Sequence, residues 1–179
     1  MFPTHALRYA WLVVALLSPV ALLNYPDWQM LATMKLSMVA DIPSIANKAD
    51  WGLILDYFKR TYAVLSPFGG YIADRLGKRW VIGANLSFVW SAVTWWTGHV
   101  TTFNELVAAR ALMGISEAFY IPCALALISE YHFGSTRSRA VGAHQTGIYI
   151  GQILGGFAGY VADSPDHGWR WAFSTCGMI

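Results

Sequence analysis

Charge is what this sequence has least of. Only 12% of its 179 residues are Asp, Glu, Lys or Arg, against 56% hydrophobic. A soluble domain carries roughly a quarter charged residues, so an aqueous globule is excluded and a bilayer is the expected solvent. The net charge of +2 is small, and its carriers lie between apolar segments instead of forming a basic face, which excludes nucleic acid as a partner. Cysteine is scarce too: Cys123 and Cys176 stand in apolar sequence without C-x-x-C spacing. They imply neither a disulfide framework nor a metal site, and read as small packing residues. No G-x-S-x-G, H-E-x-x-H or aspartate-rich metal motif occurs, so neither an enzyme activity nor a cofactor is expected. Arg8 precedes the first apolar run, which lacks a small-residue cleavage site and is read as a retained span.

What is present in abundance is apolar length. A helix needs about 20 mostly apolar residues to cross the hydrocarbon core, and such windows fall near 11–38, 51–72, 80–99, 103–131 and 138–162. The third holds no charged residue between Trp80 and Thr97. The segments on the N-terminal side of the bilayer would carry Arg8, Arg75, Lys78, Arg79, Arg137 and Arg139, against Lys48 and Arg170 on the other side. Positive charge favours the cytoplasmic side, so the N-terminus is expected inside. Trp51, Trp80, Trp95, Trp96, Trp169 and Trp171 stand near span ends, as expected of aromatic rings with a polar tip at the interface.

Between the second and third windows runs Gly70-Tyr71-Ile72-Ala73-Asp74-Arg75-Leu76-Gly77-Lys78-Arg79. Its form, G-x-x-x-D-R-x-G-[KR]-[KR], resembles the loop joining the second and third helices of the major facilitator superfamily. In that family the loop latches the inner gate, which would give Gly70, Asp74, Arg75, Gly77, Lys78 and Arg79 a gating role. Gly168-Trp169-Arg170-Trp171-Ala172-Phe173 resembles the start of the family's sixth helix. Together they imply an all-α polytopic membrane protein. Residues 1–179 would form a truncated N-terminal half, five transmembrane helices plus the start of a sixth near 171, with a missing C-terminal six-helix half as partner. Family members of this type are built from two six-helix halves, each with three-helix inverted repeats.

Ionic groups inside spans are expensive and mark function. The first span carries Leu23-Asn24-Tyr25-Pro26-Asp27-Trp28, whose intramembrane carboxylate makes Asp27 a candidate proton carrier. The segment resembles the Asn-Tyr-x-Asp-Arg motif of the anion:cation symporter and spinster-like branches, with Trp28 where those branches have Arg. Asn24 and Tyr25 are thereby substrate-site candidates. The fourth span holds Arg110 and Glu117, seven residues apart, so they share a helix face about 10 Å apart along the axis. Asp27 could meet Arg110 there. The surrounding pattern R-x-x-x-G-x-x-E-A-x-x-x-P resembles the fourth helix of the same branches. That resemblance gives Glu117 a coupling role and Arg110 a substrate contact.

In the second span, Asp56, Lys59 and Arg60 are spaced i,i+3 and i,i+4, allowing one carboxylate to pair with both cations. Lys59 could instead face the cavity, and Arg60 stands where related sequences show an aromatic residue. Lys35 can snorkel to the interface. The fifth span repeats Gly147, Gly151, Gly155 and Gly159 every four residues, a groove against which another helix can lie; Gly114 would do the same in the fourth. His144 and Gln145 are polar enough to line a pathway, His144 as packing or as a proton relay. The resemblance implies secondary transport of a small organic anion, a sugar acid or other carboxylate or sulfonate, coupled to protons. Alternatives are a spinster-like lipid or drug transporter, or a remnant that only inserts. A multi-pass protein of the bacterial inner membrane is expected.

Overall fold

The structure, a computed structural model, describes residues 4–77, 82 and 89–178. Lys78, Arg79 and Trp80 of the sequence-predicted loop and third span lie outside the described residues.

The first span is a rod in three pieces: α1 (Thr4–Asn24), α2 (Pro26–Thr33) and α3 (Lys35–Asp41). Pro26 lacks an N–H and therefore cannot continue the ladder to the Leu22 carbonyl four residues back. It sits instead at the first turn of α2, where no donor is needed. Tyr25 bridges the break with φ −95° and ψ −10°, and its N–H still reaches the Ala21 carbonyl at 3.3 Å. A milder break at Met34 keeps its bond to the Met30 carbonyl, at 2.9 Å.

The second span is α4 (Lys48–Leu76), capped by Asn47 Oδ1, which accepts from the N–H groups of Ala49 and Asp50 at 2.8 and 3.0 Å. It ends at Gly77, whose φ of +90° suits only glycine without strain. The third span is described at its end, α5 (Ser91–Thr97). The fourth is the unbroken α6 (Phe103–Tyr131). It opens on a capping box, Thr102 accepting from the Glu105 N–H at 3.3 Å while Glu105 reaches back to the Thr102 N–H at 3.2 Å. The fifth is α7 (Ser135–Gly156) followed after Phe157 by α8 (Ala158–Ala162). Finally α9 (Gly168–Met178) begins the sixth. Leu7–Thr33 and Phe103–Tyr131 are each long and apolar enough alone to cross a bilayer.

The spans pair in a pattern with its own symmetry. α4 packs along α6, α1 and α2 along α7, and α9 against α5, so second meets fourth, first meets fifth and third meets sixth. Exchanging the first three spans for the last three leaves that pattern unchanged, as inverted three-span repeats require. Close approach at these pairings depends on missing side chains. A Cβ on Gly147 would stand 2.9 Å from the Ser18 carbonyl, and one on Gly151 or Gly155 would run into the carbonyls of Leu22 and Pro26. The glycine groove of the fifth span therefore receives the first. Leu22, whose carbonyl Pro26 leaves without its helical donor, is the residue that faces Gly151.

Two apolar clusters result. One gathers Met30, Met34, Trp51, Phe58, Trp90, Met113, Trp169 and Phe173; the other gathers Val14, Leu17, Ile82, Tyr120, Leu127 and Ile148 towards the opposite end. Buried polar side chains run along the bundle axis through both, from Thr97 and Arg110 at the level of the first cluster to His144 at the level of the second.

Candidate functional site: a buried ionic layer

Asn24, Asp27, Thr97, Arg110, Glu117 and His144 are all at most 3% exposed. Each is held by a different constraint. The Pro26 break puts Asp27 in the first turn of α2, and the length of α6 brings Arg110 to the same level. The Arg110 guanidinium and the Asp27 carboxylate form a buried ion pair, Nη1 donating to Oδ2 and Nη2 lying 3.4 Å from Oδ1. Nη2 also donates to Thr97 Oγ1 at 3.0 Å, while the Thr97 hydroxyl donates to the Val93 carbonyl at 2.8 Å. The Phe173 ring lies 5.9 Å from the guanidinium carbon. Spans one, three and six thus clamp a cation from span four. Burying such a pair costs several kcal/mol of desolvation per ion, so it is poor evidence of stabilisation by itself.

Glu117 lies two helical turns along α6 from Arg110, within electrostatic reach of it and of Asp27. Its Oε1 has no hydrogen-bond partner among the described residues. The same holds for both amide atoms of Asn24 and both ring nitrogens of His144. Tyr25, half-buried, is within electrostatic reach of Glu117, Tyr62 and Tyr120. Tyr120 packs its ring 5.9 Å from that of His144 and donates its hydroxyl to the Leu17 carbonyl at 3.3 Å. Gln145, one residue on and about 100° around the helix, is half-buried.

Trp28 stands half-buried beside the ion pair, its ring edge-to-face with Phe58 at 5.0 Å. The Lys59 ammonium lies over the indole at 5.7 Å. Where the resemblance leads one to expect an arginine, span one therefore offers an aromatic face, and span two supplies the cation that sits on it. Asp56 pairs with Arg60 at 2.6 Å and leaves Lys59 to Trp28, which narrows the expected two-cation arrangement to one. Trp28, Leu31, Leu55, Phe58 and Arg110 line a small cleft of about 10 Å³, room for about one water molecule and far below the roughly 300–1,000 Å³ of ordinary ligand pockets.

The loop residues are apart from this layer. Gly70 is half-buried within α4, Asp74 and Arg75 are exposed at its end, and the Arg75 guanidinium stacks over Tyr71 at 4.9 Å. Cys123 is buried and Cys176 half-buried, and neither is in a disulfide. Among the described residues, no three His, Cys, Asp or Glu side chains gather to hold a metal ion.

Sequence reasoning missed Thr97 and Phe173 as supports of Arg110. Thr97 shares its apolar span with Ser91 and Thr94, so nothing in the sequence singled it out, while Phe173 stood in the Trp-Arg-x-x-Phe pattern but was valued only as a marker of the sixth helix.

The comparisons with known proteins agree with this architecture. The Major Facilitator Superfamily pattern matches residues 17–179. The chain is 31% identical over 172 residues to Protein spinster of Drosophila melanogaster and 33% identical over 165 residues to Protein spinster homolog 1 of Homo sapiens. Those matches take in 96% and 90% of this chain but only 28% and 30% of the relatives' own length. A crystal structure of a bacterial homologue of the human lysosomal transporter Spinster, inward-facing and unoccupied, superposes with a TM-score of 0.84 at 22% identity. That match covers 94% of this chain and 40% of the other. With the family pattern running through nearly all of its length and the fold in accord, the chain belongs to the major facilitator superfamily of integral membrane proteins, as a spinster-like N-terminal half.

Proposed function

We propose that this chain supplies the proton-coupling half of a secondary transporter that works by alternating access. The observation that carries the reading is the buried Asp27–Arg110 pair with Glu117 beside it. When the carboxylate is ionised, the pair is closed and Arg110 is occupied. When Asp27 takes a proton, the guanidinium loses its counter-charge and becomes available to an anionic group on the cargo. Protonation and cargo binding are then linked through one cation, and the linkage is reciprocal. Glu117 can hold a second proton in the same layer. Rocking of this half against a second, about a site at mid-membrane depth, would expose the layer alternately to either side. In this reading the loop at Gly70–Arg79 lies on the cytoplasmic side, with the N-terminus.

The cargo suited to this geometry is an amphiphile, a lipid or drug with an anionic group. Trp28, Leu31, Leu55 and Phe58 provide an apolar wall beside Arg110, and the cavity they form is half a site that an opposing half would complete. A second reading, a small organic anion such as a sugar acid, is favoured by one observation: Lys59 is exposed at Trp28, a second cation near Arg110. The test is uptake into proteoliposomes under an imposed pH gradient by the full-length protein, comparing a labelled single-chain anionic amphiphile with labelled gluconate. Gradient-driven uptake of the amphiphile alone supports the first cargo, and uptake of gluconate alone supports the second. Uptake that ignores the gradient for both removes proton coupling.

A further inference from the structure

Asn24, Glu117, Tyr120 and His144 are among the buried groups on the loop side of the ion pair that have no role in the clamp; His132, also buried with both ring nitrogens unpartnered, follows Tyr131 at the loop end itself. Rise per residue places them on a ladder. Arg110 stands 21 residues, or about 32 Å, from the end of α6 at Tyr131, Glu117 about 21 Å and Tyr120 about 17 Å. His144 stands nine residues, or about 14 Å, from the start of α7 at Ser135. α6 ends and α7 begins at the same end of the bundle, so the order from mid-depth towards the loop end is Arg110, Glu117, Tyr120, His144. Asn24 lies one turn below Asp27 on span one, towards the same end.

Asn24, Glu117 and His144 are buried and unsatisfied together. Both atoms of the Asn24 amide, Glu117 Oε1 and both His144 nitrogens lack hydrogen-bond partners among the described residues. Buried polar atoms in native proteins are nearly always paired with protein or water, and leaving one bare is costly. Several such groups from three neighbouring spans meet the requirement for internal water, a polar site with two or more partners for each molecule. The titratable and charged neighbours of these groups are Asp27 and Tyr25 from span one, both within electrostatic reach of Glu117, Arg110 on the same helix as Glu117, and Tyr120, whose ring packs on His144.

We propose that Asn24, Glu117 and His144 enclose a water-holding chamber on the loop side of the Asp27–Arg110 pair, and that His144 is its outlet station for protons. The Glu117 carboxyl gives its proton to a chamber water. That water passes a proton to a free His144 nitrogen, and the imidazolium releases it at the loop end. Glu117 is left as carboxylate and His144 returns to neutral imidazole, so one proton has moved and no other bond has changed. The inference rests on the proton-coupled reading above, and it adds the route and the residue at its end.

The test is made on the full-length protein in lipid nanodiscs. In a Cys123→Ser, Cys176→Ser background, His144→Cys is treated with a charged methanethiosulfonate reagent, with Met113→Cys in the apolar cluster as the dry control. Labelling of His144→Cys at least about tenfold faster than the control is expected, and equal inertness overturns the chamber. Should the cysteine variant fail to fold, 15N-histidine spectra of the natural side chain decide, with His144→Gln assigning its signal. A ring signal that responds both to pH and to Glu117→Gln is the expected result. A signal that responds to neither, or to pH alone, overturns the link to Glu117. These readouts need no cargo, so a dry His144 removes the chamber while leaving gradient-driven uptake to stand or fall separately.

Discussion

Two polar regions of this molecule are built in opposite ways. At the rim, Arg170 donates to Asp41 at 2.7 Å and to the carbonyls of Gly98 and Val100 at 3.3 and 2.6 Å, while Trp169 donates to the same carboxylate at 3.1 Å. Three segments are tied there, and the donors have acceptors. In the buried layer the ion pair is made, but Asn24, Glu117 and His144 are left with bare polar atoms. Partly exposed charge at the rim is cheap to hold and serves as a fastening. Buried charge is costly, and under the proposed function a layer that leaves it partly unpaired keeps the freedom to exchange protons and partners. In the same reading, the paired rim is the fixed part of the bundle and the partly unpaired layer is the part that exchanges protons.

The largest effect should come from breaking the buried pair. Arg110→Ala leaves Asp27 as an uncompensated charge, and loss of one partner from a buried pair costs about 3–5 kcal/mol. Thermal unfolding of the purified full-length protein should show that loss, and Arg110→Ala with Asp27→Asn should recover part of it. No recovery in the double variant would mean that the two side chains are not coupled.

Next in size is the helix interface that carries Asp27. Gly151→Leu drives a side chain into the Leu22 carbonyl, and overpacking of this kind costs about 1–3 kcal/mol. Thermal unfolding should record the cost. Wild-type stability in Gly151→Leu would contradict the close approach.

At the rim, Arg170→Ala should cost about 1 kcal/mol. Its ion pair is screened by solvent, and its carbonyl bonds each contribute roughly 0.5–1.5 kcal/mol before that exposure is counted. Uptake should survive the change, because nothing in the fastening exchanges protons. Smallest of all is Arg60→Ala: the Arg60 side chain is 68% exposed, and exposed i,i+4 pairs are worth about 0.3–0.5 kcal/mol. A collapse of uptake in Arg60→Ala would erase the distinction between fastening and working charge.

Much of this contrast was legible in the residues. Charge inside apolar runs pointed to Asp27, Arg110 and Glu117, while the first span read as one continuous helix although Pro26 breaks it just before Asp27. The glycine repeat of the fifth span announced close packing. What could not be read was which helix fills that groove, because pairing of spans is non-local, and a stripe of glycines accepts any apolar neighbour. The breaks at Met34 and Phe157 carry no proline and were invisible. Lys59 illustrates the remaining gap: its spacing from Asp56 offered a local partner, and only the approach of span one shows Trp28 as the surface it takes. Lys78 and Arg79, half the charge of the signature, lie outside the described residues, so the gating role expected of that loop stays with its sequence resemblance.

The central claim is that protons reach the cargo site through Asp27 and its bond to Arg110. It is tested most directly by Asp27→Asn in the full-length protein, reconstituted with an imposed pH gradient and a labelled single-chain anionic amphiphile. The predicted result is loss of gradient-driven accumulation with exchange of internal for external label retained, since the half-bundle can still rock while no longer carrying the proton. Accumulation at the wild-type rate in Asp27→Asn would contradict the account.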